Sequence, residues 1–139
     1  MKVLIDSNVA LDILLNNAAF YVSSMAVFVH AEQNLLTGYV SASAITDIYY
    51  ISKKQLGKKA ALKAIKKMLS VFKPATVTDN HIHQALDMEW ADFEDSVQFV
   101  VGEGLAVDYI ITRNTQDFSS SSIVVLTPEK FIQTIADIE

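Results

Sequence analysis

The hydrophobic pattern of the chain switches repeatedly between short apolar runs and helical spacing. The short runs predict five strands, at residues 2–6, 39–41, 75–77, 109–112 and 123–126. Apolar positions recurring every three or four residues predict the helices between them, at residues 9–15, 18–36, 44–56, 58–71, 79–90 and from 92 onward. Strands that alternate with helices usually form a parallel sheet covered on both faces. The predicted fold class is therefore α/β, with a central parallel sheet of about five strands and helices on both faces.

Local signals mark several of the boundaries. Gly38 is expected to turn the chain into the second strand, and Pro74 is expected to separate a helix from the third strand. Thr127 and Pro128 open a last helix, because threonine caps a helix start and proline fits its first position.

The composition narrows the class of protein. With 139 residues and 51% hydrophobic content, the chain is expected to form a single domain spanning 1–139 with one substantial core. It has no apolar stretch long enough to cross a membrane and no secretory signal, so a soluble cytoplasmic protein is expected. The absence of cysteine excludes disulfides and thiolate metal sites.

Charge is distributed unevenly along the chain. Although the formal net charge is −5, eight of the eleven basic residues lie between Lys53 and Lys73, where there is no acidic residue. The helix at 58–71 is expected to bury Ala61, Leu62, Ile65, Met68 and Leu69 and to present its lysines to solvent. A basic segment of this kind either attracts a polyanion or is simply a solvated helix face.

Acidic residues occur where the chain leaves the predicted strands. Asp6 ends the first strand, Asp47 follows the second, Asp92, Glu94 and Asp95 precede a helix, and Asp117 follows the fourth strand. Because ligands bind at the carboxyl ends of strands in open α/β sheets, these acids are expected to converge there. Converging carboxylates favour a hard cation such as Mg²⁺.

Each acid also has a structural interpretation. Asp6 can be a helix N-cap, and Asp92 with Asp95 has the spacing of a capping box. Asp47 lies in the first turns of a helix, where the dipole favours an acid, and Asp117 can be a turn former. The residues alone leave both interpretations open.

Several other chemistries lose support from the sequence. His81 and His83 are two residues apart, which on a helix points them to different faces, and both are interpreted as surface residues. The chain has no glycine-rich phosphate loop, no G-x-S-x-G elbow and no H-E-x-x-H motif. Nucleotide hydrolysis by a P-loop, serine hydrolysis and zinc proteolysis are therefore disfavoured.

Four segments together resemble the PIN-domain family. They are VLIDSNVALDIL at the start, SASAITDIYYI in the middle, DFEDSVQF later, and DYIITRNTQDF followed by VVLTPEKF. Their order and spacing match across nearly the whole chain. The resemblance implies a sheet that gathers acids around one or two Mg²⁺ or Mn²⁺ ions, and an endoribonuclease similar to toxins of the VapC type.

The resemblance also implies roles for individual residues. Asp6 and Asp95 match family acids that bind metal, and Asp47 matches a position where the family more often has Glu, so its shorter side chain is expected to reach metal through water. The fourth acid is either Asp117 or the position of Asn114. Asn8 matches a small polar residue near the first acid. Arg113 is a candidate phosphate contact or a surface salt bridge, and Lys53 and Lys54 begin a candidate RNA track that extends to Lys67.

Three functions follow from these observations as hypotheses. The first is a metal-dependent endoribonuclease acting on RNA, the toxin of a toxin–antitoxin pair; the resemblance implies an antitoxin partner and a homodimer. The second is a catalytically weak PIN-like module that binds RNA or a protein, because Asp47 and Asn114 depart from the family pattern. The third, an aspartyl-phosphate enzyme, fits less well, because Asn8 replaces the second Asp that such phosphatases use.

Overall fold

The computed structural model describes residues 1–138 as a parallel sheet with helices on both faces. The strands are β1 (Lys2–Ile5), β2 (Thr37–Ser41), β3 (Lys73–Ala75), β4 (Tyr109–Ile111) and β5 (Val124–Leu126). The α-helices in this range are α1 (Ser7–Leu14), α2 (Tyr21–Glu32), α3 (Ala42–Leu56), α4 (Lys58–Leu69), α5 (Asp79–Met88), α6 (Phe93–Leu105) and α7 (Pro128–Ile138). A 3₁₀ turn, Thr115–Phe118, follows β4.

The first strand lies in the middle of the sheet. The strand order is β3-β2-β1-β4-β5, and every pairing is parallel. Leu4 of β1 is opposite Tyr39 on one side and Ile110 on the other. Because both faces of β1 are covered, its three last residues are fully buried, which is why it reads as a continuous apolar run.

Successive residues of β1 point into two separate cores. Val3 and Ile5 belong to the core formed with α1, α2, α3, α4 and α7, whereas Leu4 belongs to the core formed with α5 and α6. The sheet is therefore the middle of three layers, and the predicted α/β class is confirmed. Within residues 1–138, no helix is long and apolar enough to cross a membrane.

Two predicted boundary residues lie inside strands. Gly38 is the second residue of β2 rather than a turn before it, and the ring of Phe72 fills the space that a Cβ at this position would occupy. Pro74 is the middle residue of β3 rather than a separator. An edge strand tolerates proline because its outer N–H groups need no partner in the sheet, and β3 is at the edge.

Two predicted helices also differ from those observed. The helix expected at 18–36 spans only Tyr21–Glu32. In α4, Leu62 is 50% exposed, so the prediction that it is buried was wrong. The helix packs mainly on α3 and more lightly on α1, and this covers only the stripe that carries Ala61, Ile65 and Met68.

Candidate carboxylate site

Asp6 lies between β1 and α1, and the structure shows the capping role that the sequence offered for it. Its Oδ1 accepts a hydrogen bond from the backbone N–H of Ser7 at 2.7 Å, as a cap at the start of α1. Its own N–H donates to the carbonyl of Ile111 at 2.9 Å, so the sheet pairing continues up to the site. The carboxylate is 6% exposed and lies at the carboxyl edge of the central strand.

Side chains from three elements hold the Asp6 carboxylate in one orientation. The Gln98 Nε2 of α6 donates to Oδ1 at 2.9 Å, and the Thr112 hydroxyl after β4 donates to Oδ2 at 2.7 Å. The Asn8 Nδ2 of α1 lies 3.3 Å from Oδ2 and 3.3 Å from the Thr112 hydroxyl. Asn8 also accepts from the N–H of Arg113 through its Oδ1, at 3.3 Å. Asn8 therefore ties the first acid to the end of β4.

Asp95 lies in the first turn of α6 and is 7% exposed. Its N–H donates to Oδ1 of Asp92 at 3.1 Å, so Asp92 is the N-cap of the helix, as predicted. Burial, as the larger cause, and the negative charges of neighbouring acids together raise the pKa of Asp95 to about 7; these acids are Asp6, Asp92, Asp117 and Glu94. Asp95 is thus a buried carboxyl surrounded by like charge.

Glu94 connects Asp47 to this group of acids. Its side chain reaches the surface, yet partial loss of hydration raises its pKa, followed by the negative charges of Asp6, Asp47 and Asp92. A hydrogen bond with Ser7 acts in the opposite direction. Asp47 itself is exposed, within the first half of α3. The sequence marked Glu94 as one of the acids but assigned it no role.

The 3₁₀ turn after β4 contributes the last acid. Asp117 is exposed, and its charge is among those that raise the pKa of Asp95. Asn114 is exposed and precedes the turn, and its backbone N–H donates to the Thr112 hydroxyl at 3.1 Å. The Asp117 carboxylate therefore acts on the cluster electrostatically, whereas the contact of Asn114 is made by its backbone.

Two residues that touch Asp6 were not identified from the sequence. Thr112 is fully buried at the end of β4, and the argument that singled out Asp6, a polar residue ending a buried strand, applies to it equally. Gln98 is also fully buried, and its Oε1 has no hydrogen-bond partner among the described residues. Its position three residues after Asp95 places it on the same face of α6, which was the one available signal.

The family of the chain follows from a match to a family model. Residues 2–116 match the model of the PIN domain, which covers most of the chain, includes Asp6, Asp47 and Asp95, and ends one residue before Asp117. The chain belongs to the PIN-domain family. The resemblance found in the sequence is thereby confirmed. No curated protein sequence matches this PIN domain significantly.

Solved structures share the fold of this PIN domain at low sequence identity. VapBC2 from Rickettsia felis, bound to a DNA fragment from its promoter, aligns with a TM-score of 0.68 and 13% identity over 91% of this chain and 97% of that one. Mycobacterium tuberculosis VapC20, a Sarcin-Ricin loop cleaving toxin, aligns with a TM-score of 0.68 and 16% identity over 88% and 96%. A toxin–antitoxin complex from Klebsiella pneumoniae aligns with a TM-score of 0.68 and 18% identity over 91% of this chain and 97% of that one.

Arg113 of the PIN domain is held by a buried acid rather than by surface contacts. Its Nε lies 2.9 Å from Oδ2 of Asp12, which is 2% exposed, in an ion pair without good hydrogen-bond geometry. Its guanidinium carbon lies 4.3 Å from the centroid of the Phe20 ring. Burial raises the pKa of Asp12, although the charge of Arg113 lowers it. The side chain therefore has two anchors beside the end of β4.

Lys53 and Lys54 lie outside the carboxylate group. Both are exposed in the last turn of α3. At a rise of 1.5 Å per residue, they are about 9 Å further along the helix axis than Asp47. This position places positive charge on α3 nearly two helical turns beyond Asp47.

The donor set of the site suits a hard cation. Within residues 1–138, no three carboxylate or histidine side chains are arranged as a metal cluster. Mg²⁺ is commonly bound through one or two carboxylates, with waters and substrate phosphate as its other ligands. Asp6 and Asp95 can supply two carboxylates, and the like charges around Asp95 would be relieved by a cation. The residues present therefore fit such an ion.

Proposed function

We propose that this PIN domain is a metal-dependent endoribonuclease that hydrolyses RNA phosphodiester bonds and acts as the toxin of a toxin–antitoxin pair. The observation that carries the proposal is the convergence of acids from four chain segments at one edge of the sheet, with the pKa of Asp95 raised to about 7. So much uncompensated negative charge is unfavourable unless a cation or a proton binds there.

In this proposal, Asp6 and Asp95 hold Mg²⁺ or Mn²⁺, and Asp47 and Asp117 contribute through water. A bound divalent ion lowers the pKa of water and stabilises the charge that develops on the phosphate oxygens. Gln98 and Thr112 fix the rotamer of Asp6 by donating to opposite oxygens of its carboxylate. Asp95 must lose its proton before it can act as a ligand, because metals bind carboxylates in the ionised form.

The basic residues give the proposal its RNA contacts. Arg113 is positioned by Asp12 and Phe20 beside Asn8, close to the end of β4, where a phosphate would approach the acids. Lys53 and Lys54 extend the contact along α3 toward the lysines of α4. Contacts from lysines to RNA phosphates release counterions, so the binding is expected to weaken steeply with salt.

Cleavage of a mixed panel of single-stranded RNAs tests the proposal. We expect cutting with Mg²⁺ or Mn²⁺, none with EDTA, and loss of cutting in Asp6→Asn and in Asp95→Asn. Asp87→Asn, an exposed acid of α5, is the matched control and should cut normally. Double-stranded DNA serves as the control substrate. Cutting that persists in EDTA, or in both site variants, would contradict the assignment.

A catalytically weak RNA-binding module is the second candidate. It is favoured by the lack of a three-carboxylate cluster within residues 1–138 and by Asn114 at a position that is often Asp in the family. RNA binding without metal-dependent cutting, and without binding of Mn²⁺ to the protein, would select this candidate over the nuclease.

The partners of the protein are also part of the proposal. The similar structures include toxin–antitoxin complexes, which supports an antitoxin that binds this chain. Homodimerisation is expected from the family resemblance, and light scattering after size-exclusion chromatography tests it. A mass near 15.4 kDa at all concentrations would contradict the dimer.

A further inference from the structure

A cavity of about 690 Å³ lies beside the carboxylate site, between the α5–α6 connection and the 3₁₀ turn after β4. Its lining combines the ring of Trp90 and small or apolar side chains such as Met88 with a larger number of hydrogen-bonding groups, among them Glu89, Asp92, Gln116 and Asp117. Small-molecule sites are typically 300–1,000 Å³ and combine apolar surface with polar groups that fix orientation. The cavity thus has the size for a nucleoside, and its polar lining suits a base with several hydrogen-bonding groups.

Trp90 is a rigid aromatic surface in this cavity. Its ring packs on Phe99 with centroids 5.2 Å apart and an interplanar angle of 33°, and it meets Phe118 at 6.0 Å and 88°. These contacts hold the ring in place, while the side chain is only half-buried and lines the cavity. Aromatic rings held in this way are the usual stacking partners of RNA bases.

The charge of the lining indicates which part of a nucleotide enters. Glu89, Asp92 and Asp117 are acceptors that repel a phosphate but accept hydrogen bonds from a base. Asp92 already accepts from the N–H of Asp95, and Asp117 acts on the acids of the proposed catalytic site. Glu89 is the lining carboxylate that has neither of these roles, so it is the one available to bind a base. Guanine is the RNA base that presents two adjacent donors, N1–H and N2–H, to a carboxylate.

We propose that this cavity is a guanine-binding subsite, in which the base stacks on Trp90 and donates N1–H and N2–H to the carboxylate of Glu89. The biological ligand, a guanosine within an RNA chain, rests on the proposed nuclease function. Because Asp117 belongs to both the cavity and the acidic group, the bound base would flank the phosphate that reacts. The subsite would thus select where the RNA is cut.

The only tryptophan of the chain lies in the subsite, so its fluorescence reports occupancy without any catalysis. We would titrate the full chain in EDTA with guanosine, inosine and uridine. Inosine lacks the N2 amino group and tests the second hydrogen bond. We expect saturable quenching by guanosine, with affinity about tenfold weaker for inosine and weaker still for uridine. Equal quenching by all three nucleosides, or none by guanosine, would overturn the proposal.

Glu89→Gln removes the negative charge at nearly constant shape and should weaken guanosine binding about tenfold without affecting uridine. Glu103→Gln is the matched control, because Glu103 is an exposed glutamate near the other end of α6. Unchanged guanosine affinity in Glu89→Gln would also overturn the subsite. Guanosine quenching without RNA cleavage would support the subsite and contradict the proposed nuclease function. Cleavage without quenching would support the nuclease function and overturn the subsite.

Discussion

At the scale of single residues, Asp95 bears the main electrostatic cost of assembling the site. It is nearly buried, and the charges that reach it come from acids on three different elements. In the metal-free protein, this environment favours the protonated carboxyl. Asp6 has a different environment, because Gln98, Thr112 and the N–H of Ser7 all donate to its carboxylate. Hydrogen-bond donors therefore surround Asp6, whereas negative charges surround Asp95.

Asp95→Asn is expected to stabilise the metal-free protein at high pH. The folded-state pKa of about 7 lies above the ordinary value of 3.8, so the folded state binds the proton more tightly than the unfolded state does. The free energy of unfolding therefore falls as pH rises from about 4 to about 7, and Asn avoids this loss. A shift of about three pKa units corresponds to a gain of up to about 4 kcal/mol at pH 8, and little difference is expected at pH 4.

Urea denaturation in EDTA at pH 4, 6 and 8 measures this effect. Asp87→Asn, an exposed acid on α5 outside the site, is the control and should change stability little at any of the three pH values. A variant Asp95→Asn less stable than the native chain at pH 8 would show that the carboxylate is not destabilised by its surroundings.

The buried ion pair between Arg113 and Asp12 gives a second residue-scale prediction. Arg113→Met leaves the Asp12 carboxylate buried without its cation, and we expect this to cost about 3 kcal/mol of the free energy of unfolding, at the lower end for a buried pair because Arg113 is 31% exposed. Asp12→Asn combined with Arg113→Met should cost less than Arg113→Met alone, because no charge is left buried. Chemical denaturation of the single and double variants at neutral pH tests this. Additive losses would contradict a direct interaction.

At the scale of elements, the segment that joins α4 to β3 lies very close to β2. Phe72 lies against Gly38 of β2, and the two aromatic rings of Phe28 and Phe72 meet edge to face with centroids 5.8 Å apart. Glycine at this strand position is therefore explained by the space that the Phe72 ring needs. The same close approach secures the edge strand β3 against β2.

Gly38→Ala is expected to destabilise the protein by at least 1–3 kcal/mol, because the added methyl overlaps the ring of Phe72 in a packed core. Gly104→Ala in α6 is the matched control. The nearest atom to its added methyl is Nε2 of His81 at 3.7 Å, so helix propensity should make it neutral or stabilising by up to about 1 kcal/mol. Thermal unfolding of both variants tests the prediction, and equal melting temperatures would refute it.

The sequence predicted the elements better than their boundaries. β1 could be predicted because burial on both faces requires a continuous apolar run. The positions of Gly38 and Pro74 could not, since each depends on a neighbour brought in by the fold: the ring of Phe72 in one case and an edge location in the other. Local propensity contains no information about such neighbours.

In the candidate site, too, local features could be predicted and contacts between distant residues could not. The acids could be located because they end strands or begin helices, which are local features. The hydrogen bonds from Gln98 and Thr112 to Asp6 join residues 92 and 106 positions apart, and the ion pair between Arg113 and Asp12 is similarly distant in sequence. Their partners are determined by the order of strands in the sheet. The roles of Asn8, Asn114 and the lysines remain predictions.

At the scale of the whole molecule, charge is separated into an acidic sheet edge and a lysine-bearing surface on α3 and α4. The acids alone would repel RNA. In the proposed nuclease, RNA binding would therefore depend on the lysines holding the backbone while a cation neutralises the acids. The net charge of −5 conceals this arrangement, because it sums the two surfaces.

Replacing Lys53 and Lys54 together by Gln is expected to weaken RNA binding and to flatten its salt dependence. Each lost phosphate contact on single-stranded RNA should reduce the slope of log affinity against log salt by about 0.7. Fluorescence anisotropy with labelled RNA between low and moderate salt measures the slope. Lys73→Gln is the control, because Lys73 begins β3 and so lies at the amino ends of the strands, whereas the acids lie at the carboxyl ends. An unchanged slope in the double variant would show that Lys53 and Lys54 do not contact RNA phosphates.

The central position of β1 also affects the order of events during protein synthesis. Asp6 is translated 92 residues before its partner Gln98 and 106 residues before its partner Thr112. On one side β1 can pair only with β4, which begins at Tyr109. While these residues are being made, the growing polypeptide carries Asp6 without the groups that orient it. The carboxylate site can assemble only after Gln98 and Thr112 have left the ribosome.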